Sequence, residues 1–230
     1  MIRPFKEQDR DQCLRILREV GWMEGKDTDN DVFNRFISDT TSFVTELAGE
    51  AEVLVLTSAG QVLHQNNDLP MSVVTGVLTS RVARMHGHAL RTTAHAIAQS
   101  AIDGAAVSFL GIFDQGYYDK LGFGNLNYQR NSTIDPANLK VPKLTRAPKR
   151  LSKDDAEAIH NCRLHRKRLH GGCNIDGVGV TGCELIWTEN GFGLGFENEA
   201  GELTHFLWLV AKDEHGPYRC DCYCWQTPEQ

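Results

Sequence analysis

Met71-Ser-Val-Val-Thr-Gly-Val-Leu-Thr79 opens a stretch, ending at Gly124, on which the reading of the whole chain turns. The run is apolar almost throughout, the pattern of a buried strand. After a short basic link comes Arg84-Met-His-Gly-His-Ala89, then a helix to about Asp103, closed by Gly104. Ala105-Ala-Val-Ser-Phe-Leu110 is a second buried strand. Gln115-Gly-Tyr-Tyr-Asp-Lys-Leu-Gly-Phe-Gly124 reads as a short helix stopped by glycine. Two strands joined through one helix predict a parallel pair. The loop after the first strand and the turn after the second then meet at one sheet end.

The residue types of the first motif suit an anion. Gly87 falls where strand becomes helix, in Arg84-x-x-Gly87-x-Ala89, and glycine lets backbone approach a ligand closely. The first N–H groups of the next helix lack intrahelical acceptors, and with the helix dipole they favour phosphate. Arg81, Arg84 and Arg91 add positive charge. A plainer reading is a strand, loop and helix in which glycine eases a turn. Tyr118-x-x-x-Gly122-Phe123 shifts the balance, because topology carries it to the same cleft. Of the two neighbouring tyrosines, Tyr117 is expected in the core and Tyr118 at the cleft.

Val77-Leu-Thr79, Arg84-x-x-Gly87-x-Ala89 and Tyr117-Tyr-x-x-x-Gly-Phe123 together resemble the acetyl-CoA motifs of GNAT N-acetyltransferases. Gly111-Ile-Phe-Asp-Gln-Gly-Tyr-Tyr-Asp-Lys-Leu-Gly-Phe-Gly124 is more narrowly similar to the enhanced-intracellular-survival (Eis-like) branch. The likeness is strong to about residue 130 and weaker beyond. It implies that the backbone of Val77, Leu78 and Thr79 pairs with the pantetheine arm of acetyl-CoA. The loop from Arg84 and Met85 through His86, Gly87 and His88 to Ala89 and Leu90 would wrap the pyrophosphate. Phe113 and Asp114 would line the same crevice, and Tyr118 would be the general acid. His88 departs from the pattern, since relatives usually carry glycine or an aliphatic residue there; a ring crowds or re-tunes the loop.

A chain of 230 residues allows one large domain or two small ones. A formal net charge of −6 argues against nucleic acid or an anionic membrane as the main partner. No apolar run reaches a membrane span, and Met1-Ile-Arg-Pro-Phe-Lys-Glu lacks a signal-peptide core, so a cytoplasmic protein is expected. Seven scattered cysteines, an odd count, fit a reducing compartment.

Upstream, Ile2 to Lys6 reads as a strand and a helix follows from about Asp9, with Cys13, Ile16, Leu17 and Val20 at helical spacing. Glu24, Asp27 and Asp29 read as a solvated loop rather than the rim of an amine site. Asp31 to Asp39 is a second helix. Ala51 to Thr57 is a strand, which Ser58-Ala-Gly60 is expected to turn so that Gln61 to His64 pairs back. Gly124 to Ile134 adds a further strand. The chain thus divides into an acetyl-CoA-binding unit at 1–134, a Pro- and Lys-containing connector at 135–150, and a second unit at 151–230. Lys149-Arg-Leu-Ser-Lys-Asp-Asp155 loosely echoes Arg3-Pro-Phe-Lys-Glu-Gln-Asp9. A helix from about Asp154 to Leu169 and three strands, Phe192 to Glu197, Leu203 to Val210 and Pro217 to Trp225, complete the second unit. No phosphate loop follows the third strand, and that strand is expected to lack cover. The fold class is therefore mixed α/β: a GNAT-type sheet flanked by helices, then an incomplete second unit of the same type.

Cys220-x-Cys222-x-Cys224 does not have zinc spacing and is expected to put three small side chains on one strand face. His160, His165 and His170 fall on different sides of a helix, so no metal is expected. Taken with the resemblance, the reading is an N-acetyltransferase using acetyl-CoA as cosubstrate and a primary amine of a small molecule or peptide as acceptor. A homo-oligomer is left open. The rival is an acetyl-CoA-binding or scaffold module without turnover, from a shortened chain.

Overall fold

A computed structural model of the chain describes residues 1–25, 29–111, 116–126, 135, 138, 140, 146–188, 190–214 and 216–226. It opens with strand β1 (Ile2–Pro4), a 3-10 turn at Glu7–Asp9, and helices α1 (Arg10–Glu19) and α2 (Asp29–Ser38). Strands β2 (Thr41–Leu47), β3 (Glu50–His64) and β4 (Asn67–Thr79) form a meander, followed by helix α3 (His88–Ile102) and strand β5 (Val107–Leu110). The second half contains β6 (Lys149–Leu151), α4 (Ala156–His165), β7 (Cys173–Ile175), α5 (Val178–Trp187), β8 (Gly191–Glu197), β9 (Leu203–Ala211) and β10 (Tyr218–Trp225).

The first sheet has the order β1-β2-β3-β4-β5, antiparallel except for the parallel β4–β5 pair, and β7 also pairs with β3. One face is sealed by α1 and α2: Cys13, Ile16, Leu17, Phe33 and Phe36 pack on Leu54, Leu56 and Leu78. Their spacing is the apolar stripe of an amphipathic helix. The other face is covered by α3, whose Ala96 meets Phe43, Val53, Val55 and Val74. Ser72 and Ser100 exchange a 2.9 Å hydrogen bond across that face.

Ser58-Ala-Gly60 does not turn the chain. β3 runs straight through to His64, and the reversal falls at Gln65, whose φ is +56°. Gly60 serves another need, because a Cβ there would lie 2.2 Å from the Asn174 carbonyl oxygen of β7. The glycine permits a close strand approach. The strand expected over Gly124–Ile134 falls mostly outside the described residues. Asp29, expected in a solvated loop, is instead the buried first residue of α2 and accepts hydrogen bonds from Arg18 Nε (3.2 Å) and the Gly25 N–H (3.1 Å), which tie α2 to α1.

The second sheet has the order β10-β9-β8-β6 and is antiparallel throughout. Trp208, Phe206, Leu203 and Leu151 face Ile159, Cys162 and Leu185 of α4 and α5. Gly193 lies under Trp208, where a Cβ would come within 2.8 Å of the ring. Here two expectations are corrected. Asp221 is an extra, bulged residue in β10, so the three cysteines do not share a face: Cys220 is exposed while Cys222 and Cys224 turn inward. Nor is β10 uncovered, for the buried Cys224 thiol donates to the Cys162 carbonyl of α4 at 3.3 Å.

The weak echo between the two halves has a physical counterpart. Arg3 in β1 binds Asp9 (2.7 Å) and Glu46 of β2 (2.9 Å), and Asp9 accepts from the Lys6 N–H at 2.8 Å. Lys149 in β6 binds Asp155 (3.5 Å) and Glu197 of β8 (2.7 Å), and Asp155 accepts from the Ser152 N–H at 2.8 Å. Each clasp ties a first strand to the turn that launches its helix. The division at 135–150 stands as a proposal. Across it, β7 bonds to β3, and Trp187 of α5 packs edge-on against Phe36 of α2 at 5.6 Å.

Candidate functional site

The parallel pair holds only from Met71↔Val107 to Val74↔Leu110. Past Val74, β4 continues to Thr79 with β3 on one side and, among the described residues, no strand on the other. The parting coincides with a bulge. Gly76 pairs with Leu56 and Val74 with Thr57, which leaves Thr75 as the extra residue. A bulge exchanges the faces of a strand. Upstream of it Val74 faces α3; downstream Val77 does, and Leu78 turns into the core beneath α1 and α2.

The backbone alternates likewise. The Ser80 N–H donates to the Glu52 carbonyl of β3 at 2.9 Å. Alternation then aims the polar groups of Leu78 at β3 and those of Val77 and Thr79 into the open side. Leu78, expected in the site, is thus turned away in both backbone and side chain. Val77 and Thr79 present free edges to whatever lies there.

At the same end, Gly87 is the N-cap of α3 with φ +71° and ψ 10°. The first intrahelical bond is Arg91 N–H to Gly87 C=O at 3.2 Å, so the N–H groups of His88, Ala89 and Leu90 point out of the helix end. Met85 also has a left-handed φ, +65°, and is 99% exposed. Such a backbone is uncommon outside glycine. Arg91 reaches back over the loop, donating to the His86 carbonyl (3.2 Å) and lying 3.0 Å from His88 Nδ1. Partial burial and the Arg91 charge both push the His88 ring below its ordinary pKa.

These groups enclose a cleft of about 420 Å³. Val77, Thr79, Arg84, Met85, Gly87, His88, Ala89 and Leu90 line one side, with Tyr117, Tyr118 and Lys120 opposite. His86 does not line it; its contribution is the carbonyl that Arg91 holds. Phe113 and Asp114 lie outside the described residues. Tyr117 is corrected from core to cleft wall: it is half-buried like Tyr118, and their rings meet edge-on at 4.9 Å. Burial pushes the Tyr117 hydroxyl above the usual phenol pKa. Lys120 was not singled out in the sequence. Its signal is its place two residues past Tyr118, in the Tyr118–Leu121 turn.

His160 is a satisfied interior histidine. Its Nε2 faces the Asp176 carbonyl at 3.0 Å and so carries the proton, while Nδ1 lies 3.0 Å from the Thr181 hydroxyl. Among the described residues no cluster of histidine, cysteine and carboxylate could hold a metal. No helix is long and apolar enough to cross a membrane.

No protein-family model matches the sequence, and no curated protein is similar to it. A conserved protein from Enterococcus faecalis V583, described as a probable N-acyltransferase, matches the structure with a TM-score of 0.72 at 17% identity. The match covers 99% of this chain and 58% of that one, so the chain spans little more than half of its neighbour's length. A glucosamine-6-phosphate N-acetyltransferase from Arabidopsis thaliana matches at TM-score 0.48 and 16% identity, over 59% of this chain and 98% of that one. A GNAT family acetyltransferase from Brucella melitensis in complex with acetyl-CoA matches at TM-score 0.45 and 19% identity, over 58% and 90%. At these two scores the likeness carries no weight. The Enterococcus neighbour shows the fold: a mixed α/β sheet flanked by helices, as the sequence led one to expect.

Proposed function

We propose that the chain is an acetyl-CoA-dependent N-acetyltransferase of Eis-like type, acting on a primary amine of a small molecule or peptide. One observation carries the proposal: the edge of β4 past Val74, unpaired among the described residues, opens into the same cleft as the N-terminus of α3. An extended thioester arm needs the former, and a pyrophosphate needs the latter. The residues present fit both groups. Val77 and Thr79 would bond the pantetheine amides. The N–H groups of His88, Ala89 and Leu90, with Arg84 and Lys120, would hold the pyrophosphate.

When bound, acetyl-CoA supplies an activated acyl group. The remaining work falls to the chain. The cleft fixes donor and acceptor together, which removes much of the entropic barrier. Backbone N–H groups along the β4 edge stand ready for charge developing on the carbonyl oxygen. Tyr118 would pass its phenol proton to the departing sulfur. Tyr117 shares the wall and is the control for that assignment.

A second reading, a module that binds acetyl-CoA without turnover, is favoured by one observation. Among the described residues lining the cleft there is no carboxylate, and the His88 lone pair at Nδ1 is taken up by Arg91. A base for the incoming amine therefore has to come from elsewhere. Calorimetry with acetyl-CoA, followed by thiol release against a panel of amines, tests both. Binding with turnover supports the transferase; binding without turnover leaves the module; no binding removes both.

A further inference from the structure

A second cavity, of about 190 Å³, lies on the face of the first sheet opposite α3. Its floor is Met71 and Val73 of β4 with Phe109 of β5, and it ends at Leu110, whose side chain packs on the α3 face, where the two strands part. The donor cleft begins at Val77, on the α3 face, just past the bulge. The two cavities therefore flank the parting of the sheet from its two sides.

The other wall comes from the second unit and is polar. Arg163 donates to the Thr181 hydroxyl at 3.0 Å, and that hydroxyl meets His160, whose other nitrogen is bonded to the Asp176 carbonyl. Arg163 is neutralised by Glu184 at 2.6 Å. Arg166 is not neutralised. Its guanidinium donates to the Arg163 carbonyl and Asn174 Oδ1, each at 2.6 Å, and to the Cys173 carbonyl. A guanidinium has five N–H donors, so two are left, and no carboxylate bonds to it among the described residues. Asn174 is itself fixed by the Leu164 carbonyl at 3.0 Å. Among the described residues no Asp or Glu lines the cavity. Burial and the neighbouring Arg163 charge make the Arg166 cation costly, pushing its pKa down. An unpaired, half-buried cation held rigidly against an apolar floor is a site made for an anion.

We infer that this cavity anchors the acceptor through an anionic group, a carboxylate or phosphate on a small amine, with Arg166 as the anchoring residue. The inference deepens the transferase reading and rests on it for the word acceptor; the anion site itself does not. The cavity volume fits a compact molecule of amino-acid size, not an aminoglycoside or a long polyamine. An acceptor anchored there presents its amine toward the gap between β4 and β5, where an acyl group held along Val77 and Thr79 would end.

The test uses three matched probes on the intact chain: 4-aminobutyrate, O-phosphoethanolamine and butylamine. Binding is followed by NMR without acetyl-CoA, and acetyl-CoA affinity is measured separately by calorimetry. One or both anionic probes should bind at least about tenfold tighter than butylamine, as a charge-assisted hydrogen bond gives. Which of the two binds identifies the anion. Arg166→Met should erase that preference and Arg166→Lys should keep part of it, while acetyl-CoA affinity stays at the parent value. Equal binding of butylamine, no binding of either anion, or a preference that survives Arg166→Met overturns the inference. Should Arg166→Met fail to fold, the NMR shifts in the parent chain decide: they should fall on Val180 and Thr181 of this cavity rather than on His88 and Ala89 of the other cleft. Loss of acetyl-CoA binding in the parent, with anion preference intact, would instead remove the transferase reading and leave the anion site standing.

Discussion

β1 through β4 and β6 through β10 are two versions of one plan. Each starts with a strand, a clasped 3-10 turn and a helix, adds a second helix, and lays down an antiparallel meander. Each even carries a bulge in its last meander strand, at Thr75 and at Asp221. The first unit then goes on through the Arg84–Gly87 loop, α3 and β5. The described residues of the second end with β10 and its following turn. Among the described residues, every group that lines the cleft belongs to the continuation or to the end of β4 that feeds it. The shared half is scaffold, and the bulge becomes a site only where a parallel partner strand parts from it. In the second sheet the same irregularity merely sends Cys220 outward.

The comparison predicts where substitutions act on chemistry and where on stability. The largest effect should come from Tyr118→Phe, which removes a hydroxyl and keeps the ring. Turnover with a confirmed amine should fall about 10²–10⁴-fold with acetyl-CoA affinity unchanged, and Tyr117→Phe should be mild. A large fall for Tyr117→Phe alone would move the acid to its neighbour. Next, Gly87→Glu should weaken acetyl-CoA binding about 100-fold in calorimetry, combining a left-handed φ with a like charge. Among its described residues the second unit offers no equivalent position. Unchanged affinity would mean that the α3 terminus is not the anion site.

The clasps sharpen the comparison at lower energy. Hydrogen bonds from Arg3 hold the buried Asp9 carboxyl below its ordinary pKa. A depressed carboxyl contributes stability that is present above its unfolded pKa, near 3.9, and is lost as pH falls through the lower folded value. Asp9→Asn should cost about 1–3 kcal/mol at pH 7 in denaturant unfolding and flatten the parent's loss of stability below about pH 4. The matching Asp155→Asn, whose partner Lys149 is 43% exposed, should be the smallest change, below about 1 kcal/mol. Equal losses from the two variants would show that burial is not what separates the clasps.

Much of this was legible in the chain. The apolar run into β4, the Gly87 turn, α3 and the buried run of β5 specify a parallel pair from local pattern alone, and the cleft follows from that pair. What failed depends on partners distant in sequence. Gly60 resembles a turn residue because nothing nearby reveals that the Asn174 carbonyl must pass close to it. Thr75 and Asp221 are ordinary strand residues whose bulges exist only relative to β3 and β9. Leu78 was assigned to the cleft by its place in a motif, yet the bulge at Thr75 sets the phase of every residue after it. Tyr117 and Tyr118 are adjacent in a turn, where alternation gives no guide to which faces inward.

The pairing of β7 with β3 also sets a schedule. β2 covers β3 from Glu50 to Thr57, and Cys173–Ile175 covers Gly60–Val62. The nascent chain therefore finishes the first strand of this contact long before it makes the second. At about 5–20 residues per second the wait is on the order of ten seconds. Throughout that interval the far end of β3 has one bare edge, open to any passing strand. Ser58, Gln61 and His64 are placed along it. Until Cys173–Ile175 arrives, that stretch of β3 is a template on which another chain could pair.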